Sequence, residues 1–305
     1  MKAFVGVTDR DWYRFLLARP ELTEVNFWRP SGRGFQAIGS GEPFVFKTHK
    51  PHDRLVGGGF LSNATTLRIS EAWEFFGEAN GVSSLHAMRV AIAKYRKQPL
   101  RDEEDPMVGC VLLRDVFFVS ESEAISPPPD FAPNVVMGKS YDLASESGSY
   151  LETALEALLR TSTDTGSVPG AVFGDPRLVA ARLGQRAFKA LVLTAYERRC
   201  AITGAKIRPV LEAAHIRPVS RDGQNRVDNG LLLRSDVHTL FDRGYLGVDP
   251  QLRLHVSPRL RRDFGNGDEF YARAGESLVS LPSRRVDRPD GDALEWHMDT
   301  TFLSA

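Results

Sequence analysis

The chain has 305 residues, 42% of them hydrophobic and 26% charged, the composition of a soluble globular protein long enough for two domains. No run approaches the roughly 18 apolar residues that a membrane-spanning helix needs, and the start of the chain passes into polar sequence without a leader-type apolar core. A cytoplasmic protein without a membrane partner is therefore expected. Only two cysteines occur, Cys110 and Cys200, which excludes a disulfide framework and a Cys-x-x-Cys zinc clip and leaves His, Asp, Glu and Asn as metal ligands.

In chain order, residues 43–47 and 56–61 read as strands, the second with Gly57, Gly58 and Gly59 predicting a bulge or a close backbone approach. Residues 70–76 and 83–92 show helix-type apolar spacing behind serines suited to N-caps. Two further apolar runs, 108–113 and 116–119, read as a pair of buried strands. Ser126 and the three prolines after it break the pattern and predict the end of a first domain at about residue 125. Residues 126–175 are then expected to be a linker, helical at 150–159 and flexible in composition at 161–167. A second domain, 176–305, follows, with an amphipathic helix at 186–196 leading to Cys200.

The 39 basic and 39 acidic residues cancel overall but not locally. Residues 181–262 hold 16 Lys or Arg and 7 Asp or Glu, a net of +9, whereas residues 101–165 hold 4 and 13, a net of −9. A basic block suits a phosphate backbone, because each cation near a phosphate releases counterions on binding. Arg198, Arg199, Arg217, Arg221, Arg226 and Arg243 are the candidate phosphate contacts, and each is about as well explained as a solvated surface side chain.

The most informative stretch contains Glu212-Ala213-Ala214-His215-Ile216, Asp228-Asn229-Gly230-Leu231-Leu232-Leu233 and His238-Thr239-Leu240-Phe241-Asp242. Its pattern predicts a strand ending at His215, a polar turn, a second strand opened by Asn229, and a short helix capped by Ser235 or Asp236 and closed by Gly244. His238 and Asp242 are four apart and so project from one helical face, where they can address one metal ion.

These words and spacings resemble the HNH endonucleases of the bacterial restriction type, over residues 185–256. The resemblance implies a ββα-metal unit and phosphodiester hydrolysis leaving 5′-phosphate and 3′-hydroxyl ends. His215 would be the general base, and His238 and Asp242 would hold one divalent ion, Mg²⁺ or Mn²⁺. Asn229 would either join the metal shell or pin the loop that orients His215. Where many HNH proteins place an Asp or His before the base, this chain has Ala214. Glu212 is the candidate replacement ligand, although strand alternation places it on the face opposite His215.

Residues 1–122 resemble, more weakly, the PUA-type fold of EVE- and SRA-like readers of modified bases. That likeness implies a β-barrel-containing domain with a base pocket, for which Asn26, Phe27, Trp28, Lys47, His49 and Asn63 are the candidates. The ordinary alternative is that such aromatic residues fill a core. The combined expectation is an α+β restriction endonuclease acting on DNA, with DNA bearing modified bases as its sharper substrate class in an antiphage role, and a homodimer cutting both strands. Its rivals are a nicking or non-specific nuclease guided by a partner, and a catalytically inactive nucleic-acid-binding protein.

Overall fold

A computed structural model describes residues 1–164 and 184–304. It divides into two compact units, Met1–Ala187 and Phe188–Ala305. The expected start of the second domain at residue 176 lies outside the described residues.

The first unit is built on a mixed six-stranded sheet. Its strands are β1 (Lys2–Thr8), β2 (Glu24–Arg29), β3 (Pro43–Thr48), β4 (Leu55–Arg68), β5 (Met107–Phe118) and β6 (Gly138–Asp142), in the order β2-β5-β4-β3-β1-β6. Only β1 and β3 run parallel. Alternation along the strands divides the core between two faces. Val5, Val45 and Phe117 face one way, where Leu151, Leu155 and Leu158 of α4 (Glu146–Asp164) cover them. Phe44, Phe46, Val111 and Leu113 face the other, against Trp12, Tyr13 and Leu16 of α1 (Arg10–Leu17).

The glycines of β4 act as their pattern predicts. Gly57 has φ +151°, and a Cβ there would lie 2.2 Å from the Phe117 carbonyl oxygen, while the β4–β5 register shifts between Gly58 and Phe60. Helix α3 (Leu85–Arg96) is capped by Ser84, whose hydroxyl accepts from the Ala87 amide at 3.1 Å. In α2 (Ile69–Phe76), by contrast, Ser70 lies inside the helix and donates its hydroxyl to Asp105, and Glu71 reaches back to the Arg68 amide instead.

Three larger features of the first unit also differ from expectation. The two apolar runs at 108–113 and 116–119 fall on one strand, Met107–Phe118, with a kink at Asp115 (φ 50°), not on a pair. Residues 126–175, expected as a linker, contain β6, which pairs with β1 through Lys2↔Asp142 to Gly6↔Gly138, and α4, which supplies much of one core face. The barrel is also absent: no ladder joins β2 to β6 among the described residues, so the sheet is open. The outer edge of β2 faces the 3₁₀ turn Gly77–Asn80, where Asn80 binds Asn26 and Trp28, and that turn covers the edge as closure would.

The second unit begins within α5 (Gln185–Ala195), whose Phe188 and Val192 are fully buried. A two-stranded antiparallel sheet of β7 (Leu211–His215) and β8 (Gly230–Arg234) leads into α6 (Ser235–Asp242). Then come a hairpin of β9 (Leu246–Val248) and β10 (Leu254–Val256), and helices α7 (Pro258–Phe264), α8 (Asp268–Tyr271) and α9 (Gly291–Thr300). Leu231, Leu232 and Leu233 bury on both faces of β8, which explains its unbroken apolar run. Cys200 is buried, and its sulfur accepts from the amides of Thr203 and Arg234, both at 3.4 Å, so it ties the strand to the preceding turn.

Candidate active site

His215 ends β7 opposite Gly230. The glycine is required there, because a Cβ would lie 2.6 Å from Val192 Cγ2 and 3.0 Å from the Phe188 ring. This close approach lets Phe188 stack on the His215 imidazole, with centroids 4.1 Å apart and planes at 13°. Burial lowers the His215 pKa below its ordinary 6.5, and the hydrogen bond with Asn225 opposes that shift. The imidazole is consequently neutral, and able to accept a proton, at pH 7.

Asn229 lies in the 3₁₀ turn Val227–Asn229 immediately before β8, one residue short of the strand it was expected to open. Its side chain is buried and fully bonded: Oδ1 accepts from the Arg217 amide, and Nδ2 donates to the carbonyls of Arg217 and Gln224, all at 2.9 Å. Of its two expected roles, these bonds favour pinning the loop. Replacing Asn229 with Ala is expected to cost about 2–4 kcal/mol, three hydrogen bonds at the usual net value each, which a shift in the urea midpoint of unfolding would measure.

On α6, His238 and Asp242 project together as the four-residue spacing requires. His238 Nε2 lies 3.3 Å from Asp242 Oδ2, and His238 Nδ1 lies 2.7 Å from Glu212 Oε2. Glu212 thus reaches the helix even though alternation turns it from His215. Its bond to the far ring nitrogen suits a carboxylate that orients a ligand histidine better than a ligand itself. The expected caps differ too: Arg234 is the N-cap residue of α6, and its guanidinium binds Asp236 at 2.6 and 2.7 Å. Gly244 closes the helix at φ +75° as expected.

The two halves of the site are electrostatically joined. His215 feels the charges of His238 and Asp242, and Asp242, whose carboxyl partial burial raises, is pulled back by both histidines. Among the described residues no group of three or more His, Cys, Asp or Glu side chains is placed to hold a metal ion. The pair still fits one. Adjacent ligands of an octahedral ion with bonds of about 2.1 Å lie about 3 Å apart, close to the His238–Asp242 separation, and Mg²⁺ commonly takes few protein ligands beside water and phosphate oxygens.

The candidate phosphate contacts all lie in the second unit. Arg221, Arg226 and Arg243 are exposed, while Arg198, Arg199 and Arg217 are half-buried. Arg226 is paired with Asp228, and Arg217 donates to the Arg221 carbonyl at 2.7 Å beneath the Trp296 ring.

In the first unit, a cavity of about 760 Å³ is lined by Phe27, Trp28 and His49 among the expected pocket residues, together with Asp9, Arg29 and Tyr95. Asn26, Lys47 and Asn63 are placed elsewhere. Asn26 is buried against Asn80 and Cys110, Lys47 is buried with Asp53, and Asn63 sits at a bulge of β4, bonded to the Ala64 amide. Strand alternation does not separate them, since Asn26 and Trp28 share a face of β2 and both bind Asn80.

A strand–loop–strand–helix unit carrying a half-buried histidine, a loop-pinning asparagine and a helical His/Asp pair has the arrangement expected of a ββα nuclease site. Residues 200–249 match the family model of the HNH endonucleases. No curated protein matches the chain. Among solved structures, that of ASCH from Zymomonas mobilis is 12% identical, with a TM-score of 0.35, covering 50% of this chain and 94% of its own. Two mutants of that protein are 14% and 13% identical with the same TM-score, covering 50% of this chain and 98% and 94% of theirs.

Proposed function

We propose that the protein is a metal-dependent DNA endonuclease of the restriction type, acting in the cytoplasm against foreign DNA. The observation that carries this reading is the half-buried His215 at the end of β7 together with the His238–Asp242 pair on α6, on a segment similar to HNH endonucleases. In the mechanism, His215 takes the proton of the attacking water as general base. Glu212 accepts from His238 Nδ1–H, which would leave Nε2, beside Asp242, free to hold a metal ion. A Mg²⁺ or Mn²⁺ ion held by His238 and Asp242 would stabilise charge on the phosphate and on the departing 3′ oxygen. Asn229 keeps the loop in register, and the exposed Arg221 and Arg243 meet the DNA backbone. A homodimer would place two such sites on opposite strands.

The cavity of the first unit serves as the reader of a modified base. Its walls combine aromatic rings, which stack on any base, with Asp9, Arg29 and His49, which can address a base edge or its phosphate.

The test is to incubate the protein with unmodified, methylated and hydroxymethylated forms of one plasmid, with Mg²⁺, Mn²⁺ or a chelator. Cleavage of a modified form alone, abolished by the chelator, is the expected result. Equal cleavage of all three would remove the modified-base reader for those marks, and nicked products would remove the dimer. No cleavage under any condition would favour the inactive binding protein, to which the missing first-strand ligand at Ala214 also points.

A further inference from the structure

The loop between β7 and β8 contains a side chain that sequence reasoning does not single out. Asn225 Oδ1 lies 2.8 Å from His215 Nε2. Among the described residues this is the imidazole's only hydrogen bond, so Nδ1 has no partner. An amide oxygen can only accept, and the bond therefore requires the ring proton on Nε2 and leaves the lone pair on Nδ1. Phe188 fixes the plane of the ring by stacking, and Asn225 fixes its rotation within that plane.

The loop is built to hold Asn225 in place. Asn229 Nδ2 grips the carbonyl of Gln224, the residue before it, and the Arg226 amide donates to the same carbonyl at 2.9 Å. Gly223 lets the loop close on itself: its amide donates to the Pro218 carbonyl at 3.0 Å, and a Cβ there would lie 1.8 Å from the Arg217 carbonyl oxygen. The constraint thus passes from Asn229 through the backbone to Asn225 and on to His215.

We propose that Asn225 is the positioning residue of the general base, holding the proton on Nε2 so that Nδ1 is the nitrogen that receives the proton of water. The catalytic part of this rests on the nuclease reading above, whereas the tautomer can be measured without any cleavage. Asn225→Leu keeps the size and removes the acceptor, and Asn225→Asp keeps an acceptor. The full chain, ¹⁵N-labelled at its seven histidines, is examined by two-bond ¹H–¹⁵N correlation at pH 7.5, with the His215 signals assigned by their loss in His215→Ala.

In the wild type, Nε2 is expected at the protonated and Nδ1 at the unprotonated end of the ¹⁵N range. Asn225→Asp should keep Nε2 protonated, and Asn225→Leu should move both nitrogens toward averaged values. Cleavage by Asn225→Leu should fall roughly 10- to 100-fold, the range for losing a partner that orients a functional histidine, with DNA affinity unchanged and Asn225→Asp rescuing most of it. His215 signals unchanged in Asn225→Leu would overturn the proposal, as would equal losses of cleavage in both variants. If no plasmid is cut by the wild type, the nuclease reading fails by itself, and the spectra still decide whether Asn225 sets the tautomer.

Discussion

His215→Ala should lower the rate of plasmid cleavage by roughly 10²- to 10⁴-fold, the usual contribution of a positioned general base. The size of the loss follows from the site. Of the two histidines of the site, His215 is the one that leaves a ring nitrogen without a partner among the described residues, because His238 has each of its nitrogens beside a carboxylate. Since burial lowers the His215 pKa, the acid limb of kcat/KM in the wild type should have its midpoint below 6.5. That limb should be flattened in the variant. The fold should survive, since the half-buried ring contributes one stacking contact and one hydrogen bond. A folded His215→Ala protein that cuts at the wild-type rate would remove this histidine from the chemistry.

The parts of the site fixed by short-range pattern were legible in the sequence. The β7 ending at His215, the apolar β8 and the four-residue spacing on α6 each follow from periodicity, and each lies where that periodicity puts it. Asn225 was not legible, because a polar loop has no period and its geometry depends on Asn229 and Gly223 closing it. The role of Glu212 was hidden for another reason. Alternation gives the face of a strand, but a long side chain beside a crossing helix can reach a group that alternation alone assigns to neither face.

The first unit shows the same division. Strands β3 and β4 are rich in β-branched, aromatic and glycine residues, and the sequence places β3 and the first half of β4, while the polar stretch that carries β4 on to Arg68 has no such signal. In β6, Tyr141 is the only buried side chain, so residues 138–142 carry almost no strand signal and enter the sheet through backbone pairing with β1. At β5, the polar pair Arg114-Asp115 interrupts the apolar run and mimics a turn, although the ladder with β4 continues on both sides of it. The pocket residues fail selectively. Phe27 and Trp28 reach the cavity, whereas inside the core Asn26 Nδ2 donates to Asn80 Oδ1 and the Lys47 ammonium donates to the Thr48 carbonyl and pairs with Asp53.

The second unit should lose stability as the pH falls below 6.5, and His297 should be a main cause. Its side chain is only 2% exposed, and its ring lies flat on Phe241 with centroids 3.8 Å apart. Nε2–H donates to the Phe241 carbonyl at 3.1 Å, while Nδ1 is buried without a partner. Protonation would place a charge beside a nitrogen that has no acceptor, and burial accordingly lowers the pKa from 6.5 to about 4. The unfolded chain takes up this proton as the pH passes 6.5, and the folded chain does so only near pH 4. The stability contributed by the neutral ring is therefore complete above pH 6.5 and is lost progressively as the pH falls toward 4. The full loss is about 3 kcal/mol, from a shift of about 2.5 units at 1.36 kcal/mol each. Because Phe241 lies on α6 between His238 and Asp242, the same protonation should loosen the helix that carries the metal pair. Comparing urea unfolding of the wild type and His297→Gln at pH 7.5 and pH 4.5, followed by the fluorescence of the adjacent Trp296, isolates this histidine from the other titrating groups. The wild type should lose more stability between the two pH values than the variant does, and parallel losses in both would show that His297 is not a source of the pH dependence.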